Sequence, residues 1–214
     1  MQRKENSSAD SPLINRRSFC FGIGGCVALA AMGSLRFVPS AALVRPPGGQ
    51  DEKRLLASCV HCERCVEACP RGVITLSHIE DGIVGMRTPT MRFYSDYCDF
   101  CAEENGGVAL CAAYCPTGAL EVPADVPAES IVIGKAVLYK DQCLAYHDTG
   151  CHTCYDVCPY EAIGLDGENR PYVIEDACNG CGACEAACVS FVNGSRSMSS
   201  GSAIGRAIKV ETER

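Results

Sequence analysis

The chain has 214 residues, and 18 of them, 8.4%, are cysteine, close to the level that marks cysteine-built scaffolds. Twenty-six acidic against 19 basic residues give a formal charge of −7, which excludes a nucleic-acid binder needing a basic face. Hydrophobic residues at 47% and charged residues at 21% exclude wholesale disorder, while 7% aromatics and no Trp leave the cysteines to do much of what large side chains usually do.

Residues 1–42 read as an address. A polar start with Arg3 and Lys4 leads to Asn15-Arg16-Arg17-Ser18-Phe19, then to an apolar, Gly/Ala-rich run from Phe19 to Leu35, and then to the small residues of Pro39-Ser40-Ala41-Ala42. Charged start, apolar middle and small-residue end is the layout of a signal peptide, with cleavage expected after Ala42. The Arg16-Arg17 pair directs it to the Tat route, so the working protein is expected in the periplasm or on the outer face of the cytoplasmic membrane. A retained anchor is the alternative, although about 17 apolar residues is short for a span. Ile23-Gly24-Gly25-Cys26 also has the form of a lipidation site, which leaves cleavage, anchoring and lipidation at Cys26 open. Residues 43–50, containing Arg-Pro-Pro-Gly-Gly-Gln, read as a flexible linker, with folded sequence starting near Asp51.

Sixteen cysteines then fall into four quartets: Cys59, Cys62, Cys65, Cys69; Cys98, Cys101, Cys111, Cys115; Cys143, Cys151, Cys154, Cys158; and Cys178, Cys181, Cys184, Cys188. The first is C-x2-C-x2-C-x3-C-P, the bacterial ferredoxin run for a [4Fe–4S] cluster. The fourth has the same spacing with Val189 in place of the proline. The second carries an x9 insertion after Cys101 and the third an x7 insertion after Cys143, and both keep the C-x3-C-P tail. Short C-x2-C-x2-C spacing wraps backbone around one small object, so N–H groups can reach the sulfurs.

The first cysteines lie 39, 45 and 35 residues apart, which makes the quartets an internal repeat. Strand-like pieces follow three of them, at Val73–Leu76, Ala119–Val122 and Ala162–Leu165, and others precede the next quartet, at Met91–Tyr94, Lys135–Tyr139 and Tyr172–Glu175. Each quartet is therefore expected to join the next through a β-hairpin, with a loop over Asn193–Gly205 and a last strand at Ala207–Val210. The fold expected is α+β: two ferredoxin-like dicluster modules, 51–134 and 135–214, built from four quartet repeats, short helices and β-hairpins. The fourth cysteine of such a run commonly serves the partner motif. Adjacent pairing (one with two, three with four) and nested pairing (one with four around two with three) are both open, and the 19 residues between Cys158 and Cys178 favour adjacency.

Zinc and disulfides compete with iron–sulfur clusters for these cysteines. Structural zinc sites use two short pairs separated by a longer stretch, which x2-x2 triplets do not form. Cysteines three residues apart in runs of three are poor disulfide partners. The expected cofactors are four [4Fe–4S] clusters with all sixteen quartet cysteines as iron ligands, which leaves no open iron for substrate, no catalytic residue and an electron-transfer role. His61, His147 and His152 lie beside or within complete quartets and are read as neighbours rather than ligands. Phe93, Tyr94, Tyr97 and Phe100 are expected to screen the second quartet from water. No phosphate loop or Rossmann pattern appears, so no nucleotide is expected. Residues 1–42 carry +3, so the remainder carries −10, which suits docking on basic faces of redox partners.

With Arg16-Arg17, the four quartets and the insertions after Cys101 and Cys143, residues 16–188 resemble the MauM/NapG-type ferredoxin proteins. The resemblance implies an exported electron-transfer subunit of a quinol dehydrogenase. Its partners would be a polytopic membrane protein that oxidises quinol and a periplasmic reductase, nitrate reductase-like, or that reductase's cytochrome. The electron-transfer β subunit of a molybdopterin oxidoreductase, and a cluster-delivery or reductase-maturation factor, are the alternatives.

Overall fold

Ligands two or three residues apart leave room for single helical turns, and the elements are correspondingly short. The computed structural model describes residues 43–123, 125–192, 195–197 and 206–212, together with Gly25 and Leu29, which are helical. Arg16, Arg17 and the rest of the expected signal lie outside the described residues. No helix among the described residues is long and apolar enough to cross a membrane.

Helix α1 (Glu52–Ser58) begins where the Asp51 carboxylate accepts a hydrogen bond from the Arg54 N–H at 3.1 Å, and it buries Leu55 completely. One-turn helices follow within the quartets: α2 (Arg64–Glu67), α3 (Ala102–Asn105), α4 (Leu110–Ala113), α5 (Thr153–Asp156) and the slightly longer α6 (Ala183–Ala187). Helix α3 occupies the x9 insertion, and a 3₁₀ turn at Leu144–His147 occupies the x7 insertion.

Two of the expected hairpins form. Strands β1 (Ile74–Leu76) and β2 (Pro89–Met91) pair antiparallel with Ile74 opposite Met91, so the second strand starts and ends earlier than the expected Met91–Tyr94. The hairpin after the third quartet places Ile163 opposite Val173 and Leu165 opposite Pro171. Between the second and third quartets the expectation fails. Ala119–Val122 is not a strand, although Ala119 and Leu120 are buried. Its backbone is engaged elsewhere, with the Glu121 N–H donating to Gly48 O at 3.2 Å, and Pro123 and Pro127 then interrupt the chain. Strand β3 (Lys135–Leu138) therefore takes a distant partner. Numbering in chain order, β4 is Ile163–Leu165, β5 is Pro171–Val173, β6 is Ser190–Val192, β7 is Ser195–Ser197 and β8 is Ile208–Glu211. β3 pairs antiparallel with β8, Ala136 opposite Val210. Ile208 and Val210 face inward in alternation, as the expected last strand requires. β6 pairs with β7, so the stretch 193–205, expected as a loop, contains a strand, and its remaining residues lie outside those described. Short helices and small antiparallel ladders make the described chain α+β.

The linker reading of 43–50 is corrected. Arg45, Pro46, Pro47, Gly48 and Gly49 are buried. The Arg45 guanidinium donates to Thr88 Oγ1 at 2.9 Å and Pro89 O at 2.7 Å and pairs with Glu52 at 2.5 Å. Val44 O accepts the Met91 N–H at 2.7 Å. The segment braces β2 against the chain after the second quartet, and folded structure begins before Asp51. Arg45→Met keeps the stem's bulk but leaves Pro89 O, Thr88 and half-exposed Glu52 without their donor. Loss of about 2 kcal/mol is expected, read as a lower midpoint in thermal unfolding; an unchanged midpoint would refute the brace.

Residues on both sides of position 134 share one interior. Phe93, Phe100 and Ile133 pack in the same buried cluster as Cys181, Ala183 and Val210. The wholly buried Arg206 guanidinium donates to Phe93 O and Tyr94 O, and the Ile133 N–H donates to Asn179 O at 2.9 Å. The two expected modules are thus pressed together along a seam inside the compact unit that spans residues 39–214.

Candidate metal centres

The geometry of each cysteine loop starts from one backbone feature. The residue immediately before the second cysteine is left-handed in all four quartets: His61 (φ 54°), Phe100 (φ 55°), Gly150 (φ 66°) and Gly180 (φ 80°). That reversal curls the loop so that successive backbone N–H groups and sulfurs turn to one side. Glycine marks the position in two quartets; histidine and phenylalanine hide it in the other two.

The curled loops bring four sets of cysteines together, and each set borrows its fourth member from a neighbouring quartet. Cys59, Cys62 and Cys65 line a cavity with Cys115 (site 1). Cys98, Cys101 and Cys111 line one with Cys69 (site 2). Cys178, Cys181 and Cys184 line one with Cys158 (site 4). Cys143, Cys151 and Cys154 lie within electrostatic reach of Cys188 (site 3). The grouping is that of adjacent quartets. None of the sixteen is paired in a disulfide, and among the described residues no group of three or more His, Cys, Asp or Glu is placed to hold a single metal ion.

The walls are apolar. Leu55, Leu76 and Leu120 line site 1; Val73, Ile74, Met91 and Phe100 line site 2; Ala136, Ala162, Ile163 and Val210 line site 4. Burial therefore disfavours the thiolate, and neighbouring sulfurs add to it. Burial with Cys69 and Cys101 nearby pushes Cys98 up to about 12, and burial with Cys143 and Cys188 nearby pushes Cys154 up to about 12. Burial raises Cys65 and Cys181 to about 11 and drives Cys111 and Cys184 well above the thiol range. Cys115 is the exception. Burial would raise it too, but N–H groups of Leu120, Thr117 and Ala119 outweigh that and lower it. N–H groups aimed at sulfur recur: Leu120 to Cys115 at 3.5 Å, Ala162 to Cys158 at 3.2 Å and Ala136 to Cys178 at 3.4 Å. Four thiols around a dry cavity, with amide donors on the sulfurs, form a donor set suited to an iron–sulfur core. Such a core supplies the positive charge that a buried thiolate lacks.

The remaining expectations divide. Phe93 and Phe100 are buried, as a screen requires, whereas Tyr94 is exposed. Phe93 lies against Gly182 of the fourth quartet, so it screens the seam as much as the second quartet. His152 approaches Asp156 at 3.8 Å on the surface, and His147 Nε2 meets Asp141 O at 2.9 Å. Arg71, which the sequence did not single out, lies on the wall of site 2, paired with Asp99 at 3.0 Å and Glu103 at 2.7 Å. Its position directly after Cys69-Pro70 was the available signal.

A family model described as "4Fe-4S dicluster domain" matches residues 58–119 and 149–192. The first stretch holds the first two quartets whole, and the second holds the fourth and all of the third but Cys143. Over 176 residues the chain is 36% identical to the methylamine utilization ferredoxin-type protein MauM of Paracoccus denitrificans, covering 77% of this chain and 75% of that one. Over 166 residues it is 36% identical to the ferredoxin-type protein NapG of Escherichia coli, covering 70% of this chain and 68% of that one. It is 31% identical over 149 residues to the ferredoxin-type protein NapF of Escherichia coli, covering 68% of this chain and 79% of that one.

Proposed function

Because the chain belongs to the MauM/NapG family of ferredoxin-type proteins, we propose that it is a non-catalytic electron-transfer subunit holding four [4Fe–4S] clusters, one in each cysteine site. It takes electrons from a polytopic membrane protein that oxidises quinol and delivers them to a periplasmic reductase or its cytochrome. It reaches the outer face of the cytoplasmic membrane by the Tat route, loaded before crossing. The observation that carries this reading is the convergence of cysteines from adjacent quartets at each of four places, with amide donors on sulfur at sites 1 and 4. The Arg16-Arg17 signal supports the route. The charge of −10 outside the signal supports docking on basic partner faces.

Purified holoprotein should contain about four iron and four sulfide per site, close to sixteen of each per chain. Zinc without sulfide would overturn the reading, and clusters that pass readily to an apo-enzyme would favour a delivery factor instead. Ligation requires thiolates, and burial has raised the pKa of several ligands, Cys65, Cys98, Cys154 and Cys181 among them, so cluster assembly on the apoprotein displaces protons. The sign follows: assembly should quicken as pH rises from 7 to 9, because deprotonation becomes less costly; a flat profile would contradict it.

A further inference from the structure

The two middle sites meet at the seam between the halves of the chain, and the contact is made by the ligand residues themselves. The Cys98 N–H of site 2 donates to the Cys181 carbonyl of site 4 at 2.8 Å. Beside that bond the Phe100 and Tyr160 rings meet edge to face, centroids 6.4 Å apart at 82°. Phe100 lines site 2 and Tyr160 lines site 4. Cys181 belongs to the buried apolar cluster that contains Cys111 and Phe100, whereas Cys154, Cys178 and Cys184 share a second cluster and Cys143 lies in a third, with Ala207. The outer sites open to solvent: Cys62 of site 1 is exposed beside Val60 (60% exposed), and half-buried Cys151 of site 3 is followed in α5 by exposed Tyr155 (47%).

We infer that the sites form one row in the order 1, 2, 4, 3, so that electrons cross between the halves through the Cys98–Cys181 contact and enter and leave at sites 1 and 3. The row does not follow chain order. A single electron makes the crossing: the group at site 2 is oxidised by one as the group at site 4 is reduced by one. No bond forms or breaks and no proton moves. The quinol-oxidising partner supplies the electron at one end and the reductase removes it at the other. The inference rests on the reading that all four sites hold clusters.

The test is EPR of dithionite-reduced holoprotein, with iron and sulfide measured on each sample. The variant Cys62→Ala/Cys151→Ala retains sites 2 and 4 and should show a split, fast-relaxing spectrum from two interacting spins. The variant Cys101→Ala/Cys181→Ala retains sites 1 and 3 and should show the sum of two undisturbed signals, with the splitting lost. Splitting in the second variant, or its absence in the first, overturns the order. If neither variant loads, the wild-type chain decides: one coupled system of four spins is expected, and two independent pairs overturn the row. Iron far below four per intact site in the wild type would instead count against the cluster reading itself.

Discussion

Replacing Cys69 by alanine is expected to strip the site of Cys98, Cys101 and Cys111 and to leave the site of Cys59, Cys62 and Cys65 loaded. The reason is spatial. Cys69 closes the second cavity, and its charge bears on Cys98 and Cys111, while the first cavity is closed by Cys115. Iron should fall by about a quarter, one site of four. A double-variant comparison locates the loss. Cys69→Ala/Cys101→Ala should lose no more iron than Cys69→Ala, because both act on one site, whereas Cys69→Ala/Cys62→Ala should lose about twice as much. The opposite pattern would mean that each quartet closes on its own fourth cysteine.

Gly180→Val is expected to lower the stability of the chain sharply and to weaken loading of the site of Cys178, Cys181 and Cys184. Gly180 has φ 80°, and a Cβ there would lie 2.5 Å from Gly134 O and 2.6 Å from Gly134 N, backbone that cannot turn aside. Left-handed strain costs about 1–3 kcal/mol and overpacking a similar amount. Together they amount to about 4 kcal/mol, or roughly a 10 °C fall in midpoint for a domain of this size. Gly182 differs in an instructive way. At φ 86° its Cβ would run into the Phe93 ring, so the obstacle is a side chain. Phe93→Ala should therefore recover part of the damage of Gly182→Ala and none of the damage of Gly180→Val. Gly167→Ala, with nothing within 4 Å, serves as control and should change stability by under about 0.5 kcal/mol. Equal tolerance of all three substitutions would refute the close seam.

Both experiments probe features that differ in how far the sequence reveals them. The ferredoxin run, the repeat and the hairpins at Ile74–Met91 and Ile163–Val173 are local, set by ligand spacing and by apolar residues near one another in the chain. The last strand was legible for the same reason, since Ile208 and Val210 alternate with polar residues. The pairing of β3 was not legible, because its partner lies about seventy residues away and the nearer candidate, Ala119–Val122, had its backbone taken by Gly48. Arg45-Pro-Pro-Gly-Gly has the composition of a linker, yet Thr88, Pro89 and Glu52 give its arginine a buried place.

Sequence by itself determined which cysteines belong to one loop, because x2 and x3 spacings leave the chain no freedom to do otherwise, and it determined the family through the insertions after Cys101 and Cys143. Tertiary structure alone decided which fourth cysteine closes which cavity and which cavities are neighbours. Those outcomes depend on where Cys69, Cys115, Cys158 and Cys188 arrive after their short helices, and on Phe93, Gly182 and Arg206 meeting across more than eighty residues of chain. Contacts between segments so far apart are set by packing, and spacing along the chain carries no record of them.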